Sequence, residues 1–262
     1  MSALLEIRNV TMKFGELVAD RDVSFNVEAG TICGLIGPNG AGKTTLFNCI
    51  AGYYKPSKGE IFFKGNRISG LPPHEITKLG IARTFQVVKP LKEMSVLDNI
   101  MVGAFLHHSR ASEARKIAQY CLSLCFLEDF SDKPAGELPI GSKKRLEIAR
   151  ALATEPSLLL LDESISGLTS TEIHEMLEMI RRLRDKGITI LMVEHIMEAI
   201  MPLANTIVVL SHGEKIAEGQ PQSIVHNQEV ITAYLGEKFV KKMNMQNQIM
   251  LTDAGDKKGD TP

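Results

Sequence analysis

The segment that most constrains this chain is a glycine-rich run that follows a short apolar stretch. Residues 32–36 are apolar, and the next nine residues are Gly37-Pro38-Asn39-Gly40-Ala41-Gly42-Lys43-Thr44-Thr45. Glycines at this spacing allow backbone N–H groups to turn inward around a polyphosphate. A helical pattern starts at Lys43, and such a helix would point its positive end at the bound anion. The segment therefore predicts a strand, a phosphate-binding loop and a helix.

The loop matches the Walker A pattern, so residues 37–45 together are the candidate phosphate ligands. Lys43 is expected to reach the outer phosphates, and the Thr44 hydroxyl is expected to bind Mg²⁺. The alternative is a glycine-rich turn that binds nothing. That alternative does not explain why a lysine and a threonine also occupy the motif positions.

A second feature is an apolar run, residues 158–161, that ends in Asp162 and Glu163. Two carboxylates at the carboxyl end of a sheet strand lie where α/β proteins form their sites. Asp162 suits the metal shell, and Glu163 suits an attacking water during phosphoryl transfer. Taken alone, the pair could also be an exposed acidic end of a strand.

The pattern along the chain predicts an α/β protein. Residues 4–36 alternate apolar and polar positions, which indicates strands before the phosphate-binding loop. Further strands are predicted at residues 61–64, 158–161, 188–193 and 206–210. A helix is predicted at residues 169–186, opened by a capping box of Thr169 and Glu172. Strands that alternate with helices favour a largely parallel sheet.

Two segments depart from this alternation. Residues 87–154 carry apolar residues at helical spacing over 97–106, 113–127 and 141–153, which predicts a helical insertion. Residues 237–262 are polar and charged, and we interpret them as a flexible tail.

The composition of the 262-residue chain excludes several classes of protein. With a formal net charge of -1, no global field attracts nucleic acid or an anionic membrane. The apolar runs are shorter than the roughly 18 residues that suggest a membrane span. The first residues also lack the features of a secretory signal. These observations favour a cytoplasmic protein that does not bind nucleic acid or cross a bilayer by itself.

The cysteines follow neither zinc-site nor disulfide spacing, so we interpret all four as reduced thiols. They are Cys33, Cys49, Cys121 and Cys125. Cys121 and Cys125 could share a helix face, where packing among apolar neighbours is favoured over metal binding.

Several motifs occur in the order found in ABC nucleotide-binding subunits, and the resemblance spans about residues 4–236. They are residues 10–15, Arg83-Thr84-Phe85-Gln86, residues 146–152, residues 158–163 and Val193-Glu194-His195. Residues 52–56, 83–86 and 145–150 and the run Ala233-Tyr234-Leu235-Gly236 further resemble the branched-chain amino-acid uptake branch of LivG type. The resemblance implies a P-loop NTPase fold with an antiparallel β subdomain, a RecA-like core and a helical subdomain at about residues 87–154.

The resemblance also implies roles for single residues. Phe14 corresponds to the aromatic residue that stacks on adenine, although its ring would equally suit a core. Gln86 corresponds to the glutamine that touches the metal or the attacking water and couples the site to the membrane subunits. His195 corresponds to the histidine that contacts the γ-phosphate. Glu163, His195, Gln86 and Lys43 are thus the expected catalytic residues, and Thr44, Gln86 and Asp162 the expected Mg²⁺ ligands.

One segment departs from the family pattern. Most ABC subunits carry L-S-G-G-Q where this chain has Leu138-Pro139-Ile140-Gly141-Ser142. In this family two subunits sandwich two nucleotides, each between the Walker motifs of one subunit and the signature of the other. A degenerate signature therefore predicts an asymmetric pair, in which this chain joins a different ATP-binding subunit. LivG-like subunits commonly depart here too, so the change does not indicate inactivity.

The expected function is ATP hydrolysis that drives uptake of a small solute, with branched-chain or other hydrophobic amino acids implied by the resemblance. Urea, amides and aromatic acids are alternative solutes. A regulatory or non-transport ATP-binding protein is the alternative class. The implied partners are permease subunits, a second ATP-binding subunit and, indirectly, a solute-binding protein, at the cytoplasmic face of the plasma membrane.

Overall fold

The computed structural model of the chain describes residues 3–85 and 89–235, which form two sheets flanked by helices. In chain order the strands are β1 (Ala3–Phe14), β2 (Leu17–Glu28), β3 (Ile32–Ile36), β4 (Lys58–Phe63), β5 (Asn66–Arg67), β6 (Ile81–Arg83), β7 (Leu158–Asp162), β8 (Thr189–Val193), β9 (Thr206–Ser211) and β10 (Glu214–Gly219). The helices are α1 (Lys43–Ile50), α2 (Pro73–Leu79), α3 (Val96–Ala104), α4 (Ala111–Leu124), α5 (Ile140–Leu152), α6 (Ser170–Asp185), α7 (Met197–Ile200), α8 (Pro221–Val225) and α9 (Gln228–Leu235).

The first sheet is antiparallel, with its strands in the order β2-β1-β4-β5. Its long pair, β1 and β2, reads as alternating apolar and polar residues because one face packs against the core. Leu5, Ile7 and Phe25 are buried on that face. The antiparallel subdomain expected from the resemblance is therefore confirmed.

The second sheet has six strands in the order β10-β9-β3-β8-β7-β6. The five strands from β9 to β6 run parallel, and β10 pairs antiparallel with β9 at one edge. Strands β3, β7 and β8 are buried along their whole length, as expected for parallel strands covered on both faces. The predicted largely parallel sheet is confirmed, and the carboxyl ends of β3, β7 and β8 meet at one edge.

Helices α3, α4 and α5 pack against one another, where the sequence predicts three helices. Their apolar side chains, such as Ile100 and Leu146, share one cluster with residues of the parallel sheet, such as Leu159 and Ile190. A second cluster fills the space between the two sheets around α1. Within residues 3–85 and 89–235, no helix combines the length and apolar character that a bilayer span requires.

Most predicted element positions agree with the structure to within a few residues. The capping box is confirmed, because the Thr169 side chain accepts from the Glu172 backbone and the Glu172 side chain accepts from the Thr169 backbone. One correction concerns Lys64, predicted inside a strand. It has a φ of 51° and lies in the turn between β4 and β5. The strands β5, β6 and β10 and the helices α2, α7, α8 and α9 were not predicted, and the tail at residues 237–262 lies outside the described residues.

Candidate nucleotide site

The phosphate-binding loop connects β3 to α1, as predicted. Gly42 is the N-cap of α1 with a φ of 103°, and a Cβ atom there would lie 2.1 Å from a carboxylate oxygen of Asp20. Only glycine fits this position, because both the backbone conformation and the close approach exclude a side chain. Asp20 is fully buried beneath the loop, and burial raises its pKa to about 7.

Lys43 is folded back onto the loop that contains it. Its Nζ donates hydrogen bonds to the carbonyl oxygens of Gly37 at 2.7 Å and Pro38 at 2.9 Å. Burial lowers the pKa of Lys43, and the negative charges of Glu163 and Asp162 oppose that shift. The Lys43 ammonium therefore lies within the electrostatic field of Asp162 and Glu163, the two carboxylates at the end of β7.

Asp162 ends β7 and is paired with a buried arginine. The Arg83 guanidinium lies 3.0 Å from the Asp162 carboxylate, and the two side chains are 9% and 4% exposed. Burial raises the pKa of Asp162, and the Arg83 charge opposes this effect. Arg83 also lies over the ring of Phe85, 5.3 Å from its centroid. The pair fixes the carboxylate at the end of the strand.

Glu163 begins the loop that leaves β7. It has a φ of 50°, and its N–H donates to the Val193 carbonyl of β8 at 3.0 Å. The Lys144 ammonium of α5 donates to the carbonyls of Glu163 and Ser166, at 3.1 and 2.6 Å. These contacts hold the loop after β7 between the sheet and α5.

His195 follows β8 and is exposed, whereas its neighbour Glu194 is fully buried. The Glu194 carboxylate accepts the backbone N–H of Ile165 at 2.9 Å, and burial raises its pKa to about 7. The strand ends that carry Glu163 and His195 are adjacent, because Asp162 pairs with Val193 across the parallel ladder. The two predicted catalytic side chains therefore start from neighbouring positions.

A cavity of about 460 Å³ opens over the phosphate-binding loop. Its lining residues are Phe14, Leu17, Val18, Ala19, Gly40, Ala41, Gly42, Lys43, Thr44, Thr45 and His212. The Phe14 ring is 43% exposed and meets Tyr54 edge to face at 5.2 Å. Phe14 is therefore a wall of this cavity and not part of the core, which is the arrangement that stacking on a base requires.

A second cavity, of about 450 Å³, brings Thr44 and Asp162 to one space beside Arg83. A hydroxyl and a carboxylate are oxygen donors of the kind that Mg²⁺ prefers. Over residues 3–85 and 89–235, there is no cluster of three or more His, Cys, Asp or Glu side chains with metal-site geometry. These two residues therefore fit an ion that takes its remaining ligands from phosphates and water. Gln86, the third predicted ligand, lies outside the described residues.

The divergent segment at residues 138–142 leads into α5. The Pro139 N-cap offers no side-chain cap, and the Glu172 carboxylate of α6 lies close against Gly141. Arg145 of α5 also forms a salt bridge with Glu175 of α6, with 3.1 Å between the guanidinium and the carboxylate. The end of α5 that carries the positive dipole therefore already has a carboxylate of the same chain as its partner.

Sequence reasoning missed three charged residues that shape the site. Arg83 belongs to the motif at residues 83–86, but its hydrogen bond to Asp162 joins positions 79 residues apart. Lys144 and Glu194 carry no signal of their own, since each acts through backbone groups of the loop after β7. A basic or acidic residue within an otherwise apolar helical or strand pattern was the available clue.

Two family matches cover most of the chain. Residues 21–166 match the family described as ABC transporter, and residues 214–240 match the branched-chain amino acid ATP-binding cassette transporter family. The high-affinity branched-chain amino acid transport ATP-binding protein BraF of Pseudomonas aeruginosa is 39% identical over 250 residues. The high-affinity branched-chain amino acid transport ATP-binding protein LivG of Escherichia coli is also 39% identical over 250 residues. Each alignment covers 89% of this chain and 98% of the relative.

Solved structures agree with this assignment. The ADP conformation of MJ1267, an ATP-binding cassette of an ABC transporter, has a TM-score of 0.81 at 32% identity, covering 90% of this chain and all of that one. A dimeric post-hydrolysis state of the cassette MJ0796, bound to ADP and Pi, has a TM-score of 0.74 at 28% identity and covers 83% and 98%. The chain therefore belongs to the ABC transporter family, as one of its ATP-binding, ATP-hydrolysing subunits.

Proposed function

We propose that this chain energises an importer of branched-chain or other hydrophobic amino acids, and that it hydrolyses ATP as half of a pair with a different ATP-binding subunit. The observation that carries the proposal is the convergence of Lys43 of α1, Asp162 at the end of β7 and Glu163 directly after it, at one edge of the sheet. The solute class rests on the C-terminal family match and on the descriptions of BraF and LivG.

ATP would enter the cavity above the loop with its base against Phe14 and its phosphates over the loop N–H groups. Lys43 would then exchange the carbonyls of Gly37 and Pro38 for phosphate oxygens, which is a small side-chain movement. Thr44 and Asp162, with Gln86, would hold Mg²⁺. A bound Mg²⁺ would neutralise charge on the phosphates.

Hydrolysis needs a water molecule aligned with the γ-phosphate. In this proposal Glu163 orients the water and accepts its proton, and His195 hydrogen-bonds the γ-phosphate. Glu163 is anchored for this role, since its backbone is bonded on one side to β8 and on the other to Lys144. Closure of the pair around ATP and reopening after product release would move the permease subunits.

The asymmetric pair follows from the segment at residues 138–142. Pro139 supplies no hydroxyl, and the Glu172 carboxylate of the same chain already lies against Gly141. This end of α5 is therefore poorly prepared to receive a phosphate from a partner subunit. The partner would supply the intact signature for the Lys43 and Glu163 site, at the cytoplasmic face of the membrane. The solute-binding protein would act on this chain only through the permease.

The test uses the chain co-expressed with its permease and the partner ATP-binding subunit in proteoliposomes. Glu163→Gln should lower phosphate release by at least about 100-fold and leave ATP bound, because the amide cannot take the proton. Glu198→Gln, an exposed site near the same edge, is the matched control and should keep full activity. Undiminished phosphate release by Glu163→Gln would contradict the assignment.

Two further measurements separate the remaining alternatives. Uptake of labelled leucine should exceed uptake of urea, short amides or aromatic acids, and the reverse order would change the solute class. The chain purified alone should hydrolyse ATP slowly. Transporter-like rates from a homodimer would disprove the asymmetric pair, and absence of hydrolysis in the complete complex would favour a regulatory ATP-binding protein.

A further inference from the structure

Arg83, the last residue of β6, is a buried arginine whose guanidinium contacts two elements of the nucleotide site. Its Nη1 donates to the side-chain oxygen of Asn48 in α1, and its Nη2 donates to Oδ2 of Asp162 at 3.0 Å. Helix α1 also contains Thr44, whereas Asp162 ends β7. One planar group therefore connects the two elements that carry the expected magnesium ligands Thr44 and Asp162.

Three aromatic rings surround the same guanidinium. Its central carbon lies 5.3 Å from the ring centroid of Phe85, 5.5 Å from that of Tyr53 and 5.9 Å from that of Phe47. The remaining donor of Arg83, Nε, is buried and has no hydrogen-bond partner among the residues that the structure describes. Rings around a guanidinium attract its positive charge. The position of Arg83 is therefore set by protein groups on several sides.

Asn48 joins this aromatic cage to the turn that follows α1. Its backbone carbonyl accepts the N–H groups of Tyr53 at 2.9 Å and of Tyr54 at 3.1 Å. Its side chain accepts from Arg83. The residue that receives one arm of the guanidinium thus also fixes the turn that supplies one of the surrounding rings.

The cavity of about 450 Å³ is lined by Arg83 together with Asp162 and Thr44. Both terminal nitrogens of the guanidinium already donate within the chain, so a phosphate would have to displace Asn48 or Asp162 to be held by the same fork. A buried ion pair adds little stability by itself, because the loss of hydration offsets the attraction. What the pair does provide is a fixed direction for the Asp162 carboxylate.

From these contacts we propose that Arg83 is a positioning residue, which holds the Asp162 carboxylate ready to bind Mg²⁺ together with Thr44. The inference rests on the proposed function and adds to it a residue that acts through Asp162. Groups that hydrogen-bond to a ligating carboxylate commonly contribute about 10- to 100-fold to metal affinity. Loss of the fork should therefore weaken binding of the metal complex of ATP more than binding of ATP alone.

Arg83→Lys is the direct test, because lysine keeps the positive charge but lacks the rigid fork that reaches both Asn48 and Asp162. In the full chain, the Kd of a fluorescent ATP analogue should rise by about 10-fold with Mg²⁺ present and by less than about 2-fold in EDTA. In the transporter complex, the free Mg²⁺ concentration that gives half-maximal phosphate release should rise by a similar factor.

Asn48→Ala tests the same fork while Arg83 and Asp162 are kept. The Kd with Mg²⁺ should rise by about 3- to 10-fold, since one hydrogen bond of the guanidinium is lost. Asn205→Ala is the matched control, because its side-chain oxygen accepts the Ile32 N–H at 2.9 Å, at the end of β3 away from the phosphate-binding loop. It should lower the melting temperature and leave the Kd unchanged, with or without Mg²⁺.

Wild-type affinity for the Mg²⁺ complex in Arg83→Lys and Asn48→Ala would overturn the positioning role, with the proposed function intact. Equal losses of affinity with Mg²⁺ and in EDTA would overturn it too, because they would show a purely structural effect. If Arg83→Lys does not fold, the result for Asn48→Ala decides. A wild-type chain that binds no ATP would instead contradict the proposed function.

Discussion

Single buried carboxyl groups surround the nucleotide site from three different elements. They are Asp20 of β2, Glu147 of α5 and Glu194 after β8, and burial raises the pKa of each to about 7. Glu147 and Glu194 each accept a backbone N–H, from Phe85 and Ile165. Asp20 differs, because neither of its oxygens has a hydrogen-bond partner in the described part of the chain.

Asp20→Asn should change the pH dependence of stability. A free aspartate has a pKa of roughly 3.9, so between about pH 4 and pH 7 the folded chain keeps a proton that the unfolded chain has lost. This contribution to stability is fully present below about pH 4 and is lost as the pH rises through about 7. From pH 5 to pH 8 the stability of the variant relative to wild type should rise by about 1–3 kcal/mol.

Urea unfolding of both proteins at several pH values measures this difference. The other buried carboxyls are common to both proteins, so their contributions cancel. A constant difference between wild type and Asp20→Asn over this range would show that Asp20 is charged in the folded protein near neutral pH.

Helices α5 and α6 meet at their amino ends through one side chain, Glu172. Glu172 completes the capping box with Thr169 on α6, and the same carboxylate lies against Gly141 in the first turn of α5. These contacts lower the pKa of Glu172, with the Thr169 backbone the largest cause. One carboxylate therefore caps α6 and places its negative charge beside the amino end of α5.

Glu172→Ala should therefore destabilise the folded chain more than the loss of an ordinary surface glutamate. The expected cost is about 1 kcal/mol, the usual value for a lost amino-terminal cap. Glu178→Ala, an exposed position on the same helix, should change stability by less than about 0.5 kcal/mol. Urea denaturation at pH 7 compares the two variants. Equal stabilities of the two variants would mean that water replaces the hydrogen bonds of the Glu172 carboxylate.

Elements with a local signal could be predicted from the sequence, and elements made by distant contacts could not. The loop at residues 37–45, the strand that ends in Asp162 and the capping box each show their pattern within a few residues. Strand β10 reads Glu214-Lys215-Ile216-Ala217-Glu218-Gly219, which lacks a clear apolar alternation, and it forms because β9 offers a free edge. The salt bridge between Arg83 and Asp162 cannot be predicted in this way either, because nothing in the local pattern of one residue refers to the other.

The helices of residues 96–152 share a core with the parallel sheet. Cys121 and Cys125 of this region belong to the same apolar cluster as Leu159 and Ile190. Cys33 and Cys49 lie in the second cluster, on the opposite face of the same sheet. Because β3 contributes residues to both clusters, disruption of the sheet should open both at once.

The four thiols therefore provide a test of whether the chain unfolds as one unit. All four are buried, and burial raises the pKa of each, so native protein at pH 8 should react with a thiol reagent very slowly. A Cys33→Ala, Cys49→Ala variant reports on the helical region, and a Cys121→Ala, Cys125→Ala variant reports on the core around α1. If the chain unfolds as one unit, the remaining thiols of each variant should become reactive at the urea midpoint of that variant's own unfolding transition. Reaction of Cys121 and Cys125 well before the midpoint would instead show that the helices of residues 96–152 open on their own, as the hinged closure of a nucleotide-dependent pair would allow.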